Sequence, residues 1–147
     1  MVLSPQETSI SKGKESVLYA ISYIRVSTKK QSEESKSGLD RQHEQYIHWL
    51  AAHPNYRNLD GYVYRDAGVS GRGTNRKKGA LSVLLKDAKL GKFPVDTCVV
   101  VENMTRLCRG GPQEALSLIL EICKYGLTIG FTQLGGHIFR GEEDDPL

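Results

Sequence analysis

The apolar and polar positions of this 147-residue chain follow two different periods. Short runs that are apolar on both faces are typical of central parallel strands, whereas apolar residues three and four apart indicate amphipathic helices. Four strands are predicted, at 17–26, 59–65, 95–102 and 127–134. Three helices are predicted between them, at 38–53, 77–90 and 112–125. This alternation predicts an α/β fold with a largely parallel central sheet of about four to five strands flanked by helices.

The predicted helices have apolar stripes that would pack on the sheet. The stripe of the first helix consists of Leu39, Tyr46, Ile47 and Leu50. The stripe of the second helix consists of Leu81, Leu84, Leu85 and Ala88. The aromatic ring of Trp49 is also expected in the core, and Gly91 is expected to end the second helix.

The remaining segments of the chain are polar. Residues 1–16 are expected to form a flexible leader, and a loop rich in Ser, Lys and Glu is predicted at 27–37. Residues 142–147 form an acidic tail, which is expected to be the start of a truncated connection. One domain is therefore predicted at 17–141, and a domain of this size can bury roughly 68–70% of its unfolded surface.

Cysteine and histidine spacing predicts neither a disulfide framework nor a metal site. The three cysteines are odd in number and lack CxxC spacing, so neither a disulfide framework nor a zinc site is predicted. His43, His48 and His53 are five residues apart, which does not stack them on one helix face. The chain has no signal-peptide apolar region and no run of about 18 apolar residues, so a cytoplasmic location without membrane contact is expected.

Positive charge is concentrated in two loops. The net charge of +3 conceals a more basic body, because residues 142–145 are all acidic. The first basic loop contains Arg72, Arg76, Lys77 and Lys78. The second contains Arg106 and Arg109. Such clusters fit a polyanion such as double-stranded DNA, although a run like 76–78 is also typical of a solvated helix start.

The end of the first predicted strand combines an arginine with a hydroxyl. Alternate side chains of a strand share one face, so Tyr23, Arg25 and Ser27 would project together. A buried guanidinium is costly unless an anion meets it, and its fork fits a phosphate. The pattern predicts a hydroxyl nucleophile beside a phosphate site. The alternative is a strand that ends in a turn, with Arg25 reaching solvent.

Three unusual segments follow three predicted strands, and the carboxyl ends of parallel strands meet at one edge of a sheet. The third segment contains Arg106 and Arg109, which share a face if the loop turns helically. Guanidiniums placed there would stabilise a phosphoryl centre without a metal ion. The alternative for these arginines is a salt-bridged surface loop.

Four separated blocks resemble the catalytic domain of serine recombinases, the resolvase/invertase superfamily, and more closely its large serine integrase branch. The blocks are Tyr23-Ile24-Arg25-Val26-Ser27-Thr28, Gly38-Leu39-Asp40-Arg41-Gln42, Asp66-Ala67-Gly68-Val69-Ser70-Gly71 with Arg76, and Met104-Thr105-Arg106-Leu107-Cys108-Arg109. They occur in the family's order and span about 18–140. The resemblance implies a site-specific recombinase that cleaves and rejoins DNA.

The resemblance also implies roles for individual residues. Ser27 would attack a phosphodiester and form a transient 5′-phosphoserine link. The side chains around that phosphate would be Arg25, Arg76, Arg106 and Arg109. Supporting residues would be Tyr23, Gln31, Asp66, Ser70 and Thr105, and further DNA contacts would come from Arg72, Lys77 and Lys78. The implied partners are double-stranded DNA, in the nucleoid, and further copies of the chain as a homodimer and tetramer, with no cofactor.

Two positions depart from the family pattern, whose last block usually reads Leu-Asp-Arg-Leu-Ser-Arg. Thr105 replaces the aspartate and Cys108 replaces a small hydroxyl residue. Threonine can donate a hydrogen bond but holds no negative charge. A non-catalytic nucleic-acid-binding module is therefore the second hypothesis, and Cys108 is an alternative nucleophile. A small-molecule phosphate enzyme is disfavoured, because the chain has no P-loop motif.

Overall fold

The computed structural model describes residues 17–26, 32–67, 79–108, 110–133, 135–136 and 138–140. Its strands are β1 (Leu18–Val26), β2 (Tyr56–Asn58), β3 (Tyr64–Ala67), β4 (Cys98–Val101), β5 (Thr128–Phe131) and β6 (Ile138–Phe139). Its helices are α1 (Ser32–Ala52), α2 (Gly79–Lys89), α3 (Met104–Leu107) and α4 (Pro112–Lys124). Among the helices in these ranges, none combines the length and the hydropathy that a membrane span requires.

The sheet is built around the long strand β1. The strand order is β2-β1-β4-β5-β6, and β3 also pairs with β1. On one side, β1 pairs first with β2 and then, from Tyr23 to Val26, with β3. On its other side lies β4. All these pairs are parallel except β5 with β6, so the predicted α/β class with a largely parallel sheet is confirmed.

Helices cover both faces of the sheet. One core contains the inward side chains of α2 and α4, including Leu81, Leu84 and Ile119, which pack with Ile21 and Val99 of the strands. The second core lies under α1 and contains Tyr46, Trp49, Tyr56, Cys98 and Val100. The central strands β1 and β4 therefore have apolar residues in both cores, as their unbroken apolar runs predicted. Trp49 is a core residue, as expected.

Helix α1 differs from the prediction in its start and in one inward position. It begins at Ser32, so the part of the predicted loop from residue 32 onward is helical. This first stretch, residues 32–37, consists of three serines, two glutamates and one lysine. Glutamate and lysine favour a helix, but a stretch without apolar residues has no hydrophobic period by which the helix could be detected. Ile47 is 47% exposed, because the buried stripe runs through Gln42, Tyr46 and Trp49, at the spacing of one helix face.

The predicted strand at 59–65 is wrong in its bounds. The structure has two short strands, β2 and β3, on either side of a turn in which Gly61 has a φ of 93°. Both strands run parallel to β1 and pair with successive parts of it, β2 with Leu18–Ala20 and β3 with Tyr23–Val26, and the turn interrupts the pairing between them. The strands β4 and β5 are shorter than predicted, and β6 was not predicted. A two-residue strand is too short to produce an alternating pattern.

Several predictions lie outside the described residues. These are the flexible leader at 1–16, the first part of the loop at 27–37, the Gly68–Gly71 part of the glycine loop, the start of the second helix at 77–78, and the acidic tail at 142–147.

Candidate functional site

The carboxyl edge of the sheet brings together five of the predicted site residues. They are Tyr23, Arg25, Asp66, Thr105 and Arg106, contributed by β1, β3 and α3. The other predicted site residues lie outside the described part of the chain: Ser27, Gln31, Ser70, Arg72, Arg76, Lys77, Lys78 and Arg109. Within the residues described, the three segments that were predicted to converge do so: the end of β1, the end of β3 and the helical turn α3 after β4.

Asp66 links β1 to the start of α2. It is 5% exposed, and its Oδ2 accepts a hydrogen bond of 2.7 Å from the Tyr23 hydroxyl. The same carboxylate accepts hydrogen bonds from the backbone N–H groups of Ala80 (2.8 Å) and Leu81 (3.3 Å). These N–H groups have no partner within the helix, so Asp66 caps α2. Its contacts are those of a structural clamp between a strand and a helix.

Gly79 allows this clamp to form. Its φ of 79° lies in the left-handed region, which favours glycine. A Cβ atom at this position would be only 2.7 Å from Asp66 Oδ1. Glycine therefore lets the backbone of α2 approach the carboxylate closely.

Arg25 is the largest fully buried side chain of the described residues, with 1% exposure. Its Nε donates a hydrogen bond of 2.8 Å to the carbonyl oxygen of Arg106, and its Nη2 donates to the carbonyl oxygen of Thr105. These acceptors belong to α3, a helical turn within the predicted loop. The described geometry thus fastens the end of β1 to α3, and the alternative in which Arg25 reaches solvent is excluded.

The main chain of Arg25 is satisfied by a residue of α1. Gln42, which is buried, donates from Nε2 to the Arg25 carbonyl oxygen at 3.0 Å and accepts from the Arg25 N–H at 3.4 Å. A buried backbone pair without such a partner would be costly. Gln42 therefore holds α1 against the end of β1.

Arg106 is held in one orientation by three groups. Its N–H donates to the Asn103 side chain at 3.1 Å, which is the N-cap contact of α3. Its carbonyl accepts from Arg25, and its Nε donates to Glu102 Oε1 at 2.9 Å. Within the described residues, its Nη1 and Nη2 atoms form no hydrogen bond with the protein. Two guanidinium donors on a partly exposed side chain therefore remain available to a ligand.

Glu102 follows directly after β4 and was missed as a site residue. It is 4% exposed, and it forms salt bridges with Arg106 and with Arg41 of α1. Gln133, which follows β5, also donates to it at 3.4 Å. Burial by itself would raise the pKa of the Glu102 carboxyl, but the hydrogen bonds and charges of the two arginines outweigh it and lower that pKa. The side chain is therefore an anion at neutral pH.

A signal for Glu102 exists in the sequence, since an ionisable residue directly follows four consecutive buried strand residues. An ionisable group at that position needs a partner. The partners themselves, Arg41 and Gln133, lie 61 and 31 residues away in the chain. Their identity could not be read from local spacing.

Thr105 and Cys108 differ in exposure. Thr105 is exposed, and its hydroxyl donates to Asn103 Oδ1 at 2.6 Å. Cys108 is buried at the end of α3, and its Sγ accepts a hydrogen bond from the Gly110 N–H at 3.4 Å. The described residues contain no group of three or more His, Cys, Asp or Glu side chains that could hold a metal ion. The groups that this edge offers for chemistry are therefore the guanidiniums of its oriented arginines, Arg25 and Arg106.

Comparison with known proteins agrees with this architecture. Residues 20–145 match the family model "Resolvase, N terminal domain". A curated relative, the uncharacterized protein YbcK of Escherichia coli strain K12, is 32% identical over 111 residues. That match covers 75% of this chain but only 21% of the length of YbcK, so the chain spans about a fifth of this relative.

Two solved structures share the fold. The N-terminal catalytic domain of TP901-1 integrase superposes with a TM-score of 0.64 at 26% identity, covering 82% of this chain and 81% of that one. A resolvase family site-specific recombinase from Streptococcus pneumoniae has a TM-score of 0.63 at 24% identity, covering 88% of this chain and 78% of that one. The chain therefore belongs to the resolvase family of serine recombinases, in which residues 20–145 correspond to the N-terminal domain.

Proposed function

We propose that this chain is the catalytic domain of a site-specific DNA recombinase and that Ser27 is its nucleophile. The observation that supports this most directly is Arg106, whose backbone and Nε are fixed while two donor nitrogens stay available. Oriented guanidinium donors are what a phosphoryl transition state requires. Ser27 directly follows β1, two residues after the Arg25 that fastens α3.

The proposed reaction conserves the energy of the phosphodiester. The Ser27 Oγ atom attacks phosphorus, the bond from phosphorus to the 3′ oxygen breaks, and a 5′-phosphoserine link forms. The serine hydroxyl loses its proton, and the leaving 3′ oxygen gains one. Attack by a 3′-hydroxyl on the phosphoserine then reverses these changes and rejoins the strand. No nucleotide cofactor enters this balance.

Arginines would stabilise the charge that accumulates on the phosphate oxygens. In the proposal Arg106 acts with Arg76 and Arg109 at the phosphate, while Arg25 holds α3 in place. Thr105 is a neighbour of this group without a charge of its own. The basic residues Arg72, Lys77 and Lys78 would contact the DNA backbone, which gives affinity that falls steeply with salt.

The partners proposed are double-stranded DNA and further copies of the protein. One nucleophile can hold one phosphate, whereas exchange of two duplexes requires four cuts. Dimers and then tetramers are therefore needed around two DNA sites. These assemblies are proposed for the whole protein that carries this domain.

The experiment that tests the proposal is covalent capture of DNA. The longest natural polypeptide that contains these residues is incubated with plasmids carrying the DNA that flanks its gene, and adducts are scored on a denaturing gel. We expect an adduct with the wild type and none with Ser27→Ala, while binding of the variant to duplex DNA stays nearly unchanged. An adduct that persists in Ser27→Ala would move the nucleophile elsewhere, and Cys108→Ala is the next variant to test.

Thr105 gives a reason to keep the second hypothesis, a nucleic-acid-binding module without catalysis. The family pattern has a carboxylate at this position, and the exposed hydroxyl of Thr105 bonds only to a neighbouring side chain in the described structure. Absence of any adduct from the wild type, with DNA binding intact, would favour this hypothesis. Adduct formation in excess EDTA would instead support a stabilisation that comes from guanidiniums.

A further inference from the structure

The Glu102 carboxylate contacts the arginine that the proposed function places at the phosphate. Its Oε1 accepts from Arg106 Nε, and its Oε2 accepts from Arg41 Nη1 and from Gln133 Nε2. The three partners come from α3, from α1 and from the segment after β5. Glu102 is therefore the point at which three segments of the carboxyl edge meet.

Bonding at Nε determines what Arg106 can offer a ligand. The three nitrogens of a guanidinium lie in one rigid plane. When the direction of the Nε–H bond is fixed, the two terminal nitrogens can therefore occupy only a narrow range of positions. In the described structure those nitrogens form no hydrogen bond with the protein. The carboxylate thus occupies the Nε side of the guanidinium and leaves the two terminal nitrogens of this partly exposed side chain for another acceptor.

We propose that Glu102 is a positioning residue that orients Arg106 for a phosphodiester oxygen. This inference rests on the proposed function for the identity of the ligand, and on the observed contacts for the orientation. No described acidic side chain other than Glu102 forms a salt bridge with Arg106. Glu102 therefore supplies, from the end of β4, a carboxylate beside Arg106 in a chain whose residue 105 is an uncharged threonine.

Stability alone does not account for a buried carboxylate at this position. A buried ion pair gains little over apolar residues of similar volume, because desolvation offsets the attraction. Arg41 is also about half exposed, so solvent screens its interaction with Glu102. A defined direction of the Arg106 side chain is what this contact provides and an apolar residue would not.

The experiment follows the Arg106 side chain directly by NMR. The 147-residue chain is labelled with ¹⁵N-arginine, the Arg106 Nε–H signal is assigned from its loss in Arg106→Lys, and its hydrogen exchange is measured in wild type and Glu102→Gln. Glutamine keeps the shape but loses the charge, and we expect exchange to accelerate at least about tenfold, as for loss of a charged hydrogen bond. Glu44→Gln is the matched control, since Glu44 lies on the exposed face of α1.

Titration with a short DNA duplex provides the functional readout. We expect the Arg106 signal of the wild type and of Glu44→Gln to shift on DNA addition, and that of Glu102→Gln to shift much less. In the covalent capture assay, Glu102→Gln should reduce the adduct formation rate about 10- to 100-fold, by analogy with the loss caused by removing a residue that orients a metal ligand.

Two results would overturn the inference. In the first, Nε–H exchange is unchanged in Glu102→Gln. In the second, exchange accelerates but the DNA response and the adduct rate equal those of wild type, which would make the contact purely structural. If the wild type forms no adduct, the proposed recombinase function fails while the DNA titration still decides the role of Glu102. Should Glu102→Gln fail to fold by circular dichroism, Glu102→Met, of similar volume, replaces it in the same measurements.

Discussion

Two buried carboxylates lie at the same edge of the sheet, and their partners differ in kind. Asp66, on β3, accepts hydrogen bonds from uncharged donors: a tyrosine hydroxyl and two backbone N–H groups of α2. Glu102, directly after β4, accepts from two guanidiniums and an amide. The side chains are about equally buried, at 5% and 4% exposure. Burial alone therefore does not distinguish them.

The nature of the donors indicates what each carboxylate does. Each donor to Asp66 has a single hydrogen and donates it to the carboxylate, so these groups cannot donate to a ligand as well. Two of the donors to Glu102 are arginines, and each guanidinium has five N–H groups. Arg106 can therefore be held by Glu102 and still bind a ligand. We infer that the Asp66 cluster belongs to the fold and the Glu102 cluster to the site.

Among the variants that test this difference between the two clusters, we expect the largest effect for Arg106→Ala. Arg106→Ala should lower the rate of DNA adduct formation by about 10²- to 10³-fold, because it removes an oriented transition-state donor. The fold should survive, because the Asn103 cap and the Arg25 contact both involve the backbone of residue 106, and Arg41 still pairs with Glu102.

Arg57→Ala is the matched control for that measurement. Arg57 is an exposed arginine of β2, which pairs with the start of β1 and so lies at the opposite end of the sheet. An equal loss of rate in Arg57→Ala would mean that general positive charge matters rather than the site. Loss of the Arg106→Ala fold by circular dichroism would assign Arg106 to the structure instead.

Asp66→Ala should act on stability. The change removes the cap of α2, worth about 1 kcal/mol, and leaves the buried Tyr23 hydroxyl without this acceptor, at a cost of about 1–3 kcal/mol. We expect the free energy of unfolding in urea to fall by about 2–4 kcal/mol. Asp66→Asn, which keeps an acceptor oxygen, should lose clearly less. Equal losses in the two variants would contradict the capping role.

Gly79→Ala tests the close approach on which that cap depends. Alanine at a positive φ costs about 1–2 kcal/mol, and here its Cβ would also displace the Asp66 carboxylate. Gly61→Ala is the control, because Gly61 also has a positive φ, of 93°, but a Cβ added there would meet no atom within 4 Å. Urea unfolding should show a larger loss for Gly79→Ala than for Gly61→Ala. If the two variants lost the same free energy of unfolding, backbone strain would explain the whole effect and the contact with Asp66 would contribute nothing.

The smallest expected effect is the pH dependence of the Glu102 contribution. The arginines hold the pKa of folded Glu102 below its ordinary value, so its stabilisation is complete above the unfolded pKa of about 4.3 and is lost as pH falls through the folded pKa. The difference in unfolding free energy between wild type and Glu102→Gln should therefore be constant near neutral pH and shrink in acid. A difference that grows as the pH is lowered would contradict the assigned charge pairing.

The sequence predicted the elements of the fold better than their ends. Apolar runs and helical periods are local, so they identified the parallel sheet and the inward residues of α2, of which Leu81, Leu84 and Ala88 are buried. They failed where the signal was polar or too short, as at the first turns of α1 and at β6. The division of one predicted strand into β2 and β3 depended on their shared neighbour β1, which no local pattern encodes.

For the candidate site, the sequence by itself determined which chemistry is present, and the tertiary structure decided which groups meet. An arginine within the apolar run of β1 and an arginine-rich segment after β4 could be identified from the sequence, because charged residues next to apolar runs are conspicuous, but the burial of Arg25 was decided by the structure. The sequence could not show that Arg25 donates to the carbonyl oxygens of Thr105 and Arg106, which lie 80 and 81 positions further along the chain. It also could not show the contact of Glu102 with Arg41. Such contacts depend on the order and register of strands that are distant in the chain, since parallel pairing brings their carboxyl ends to one edge.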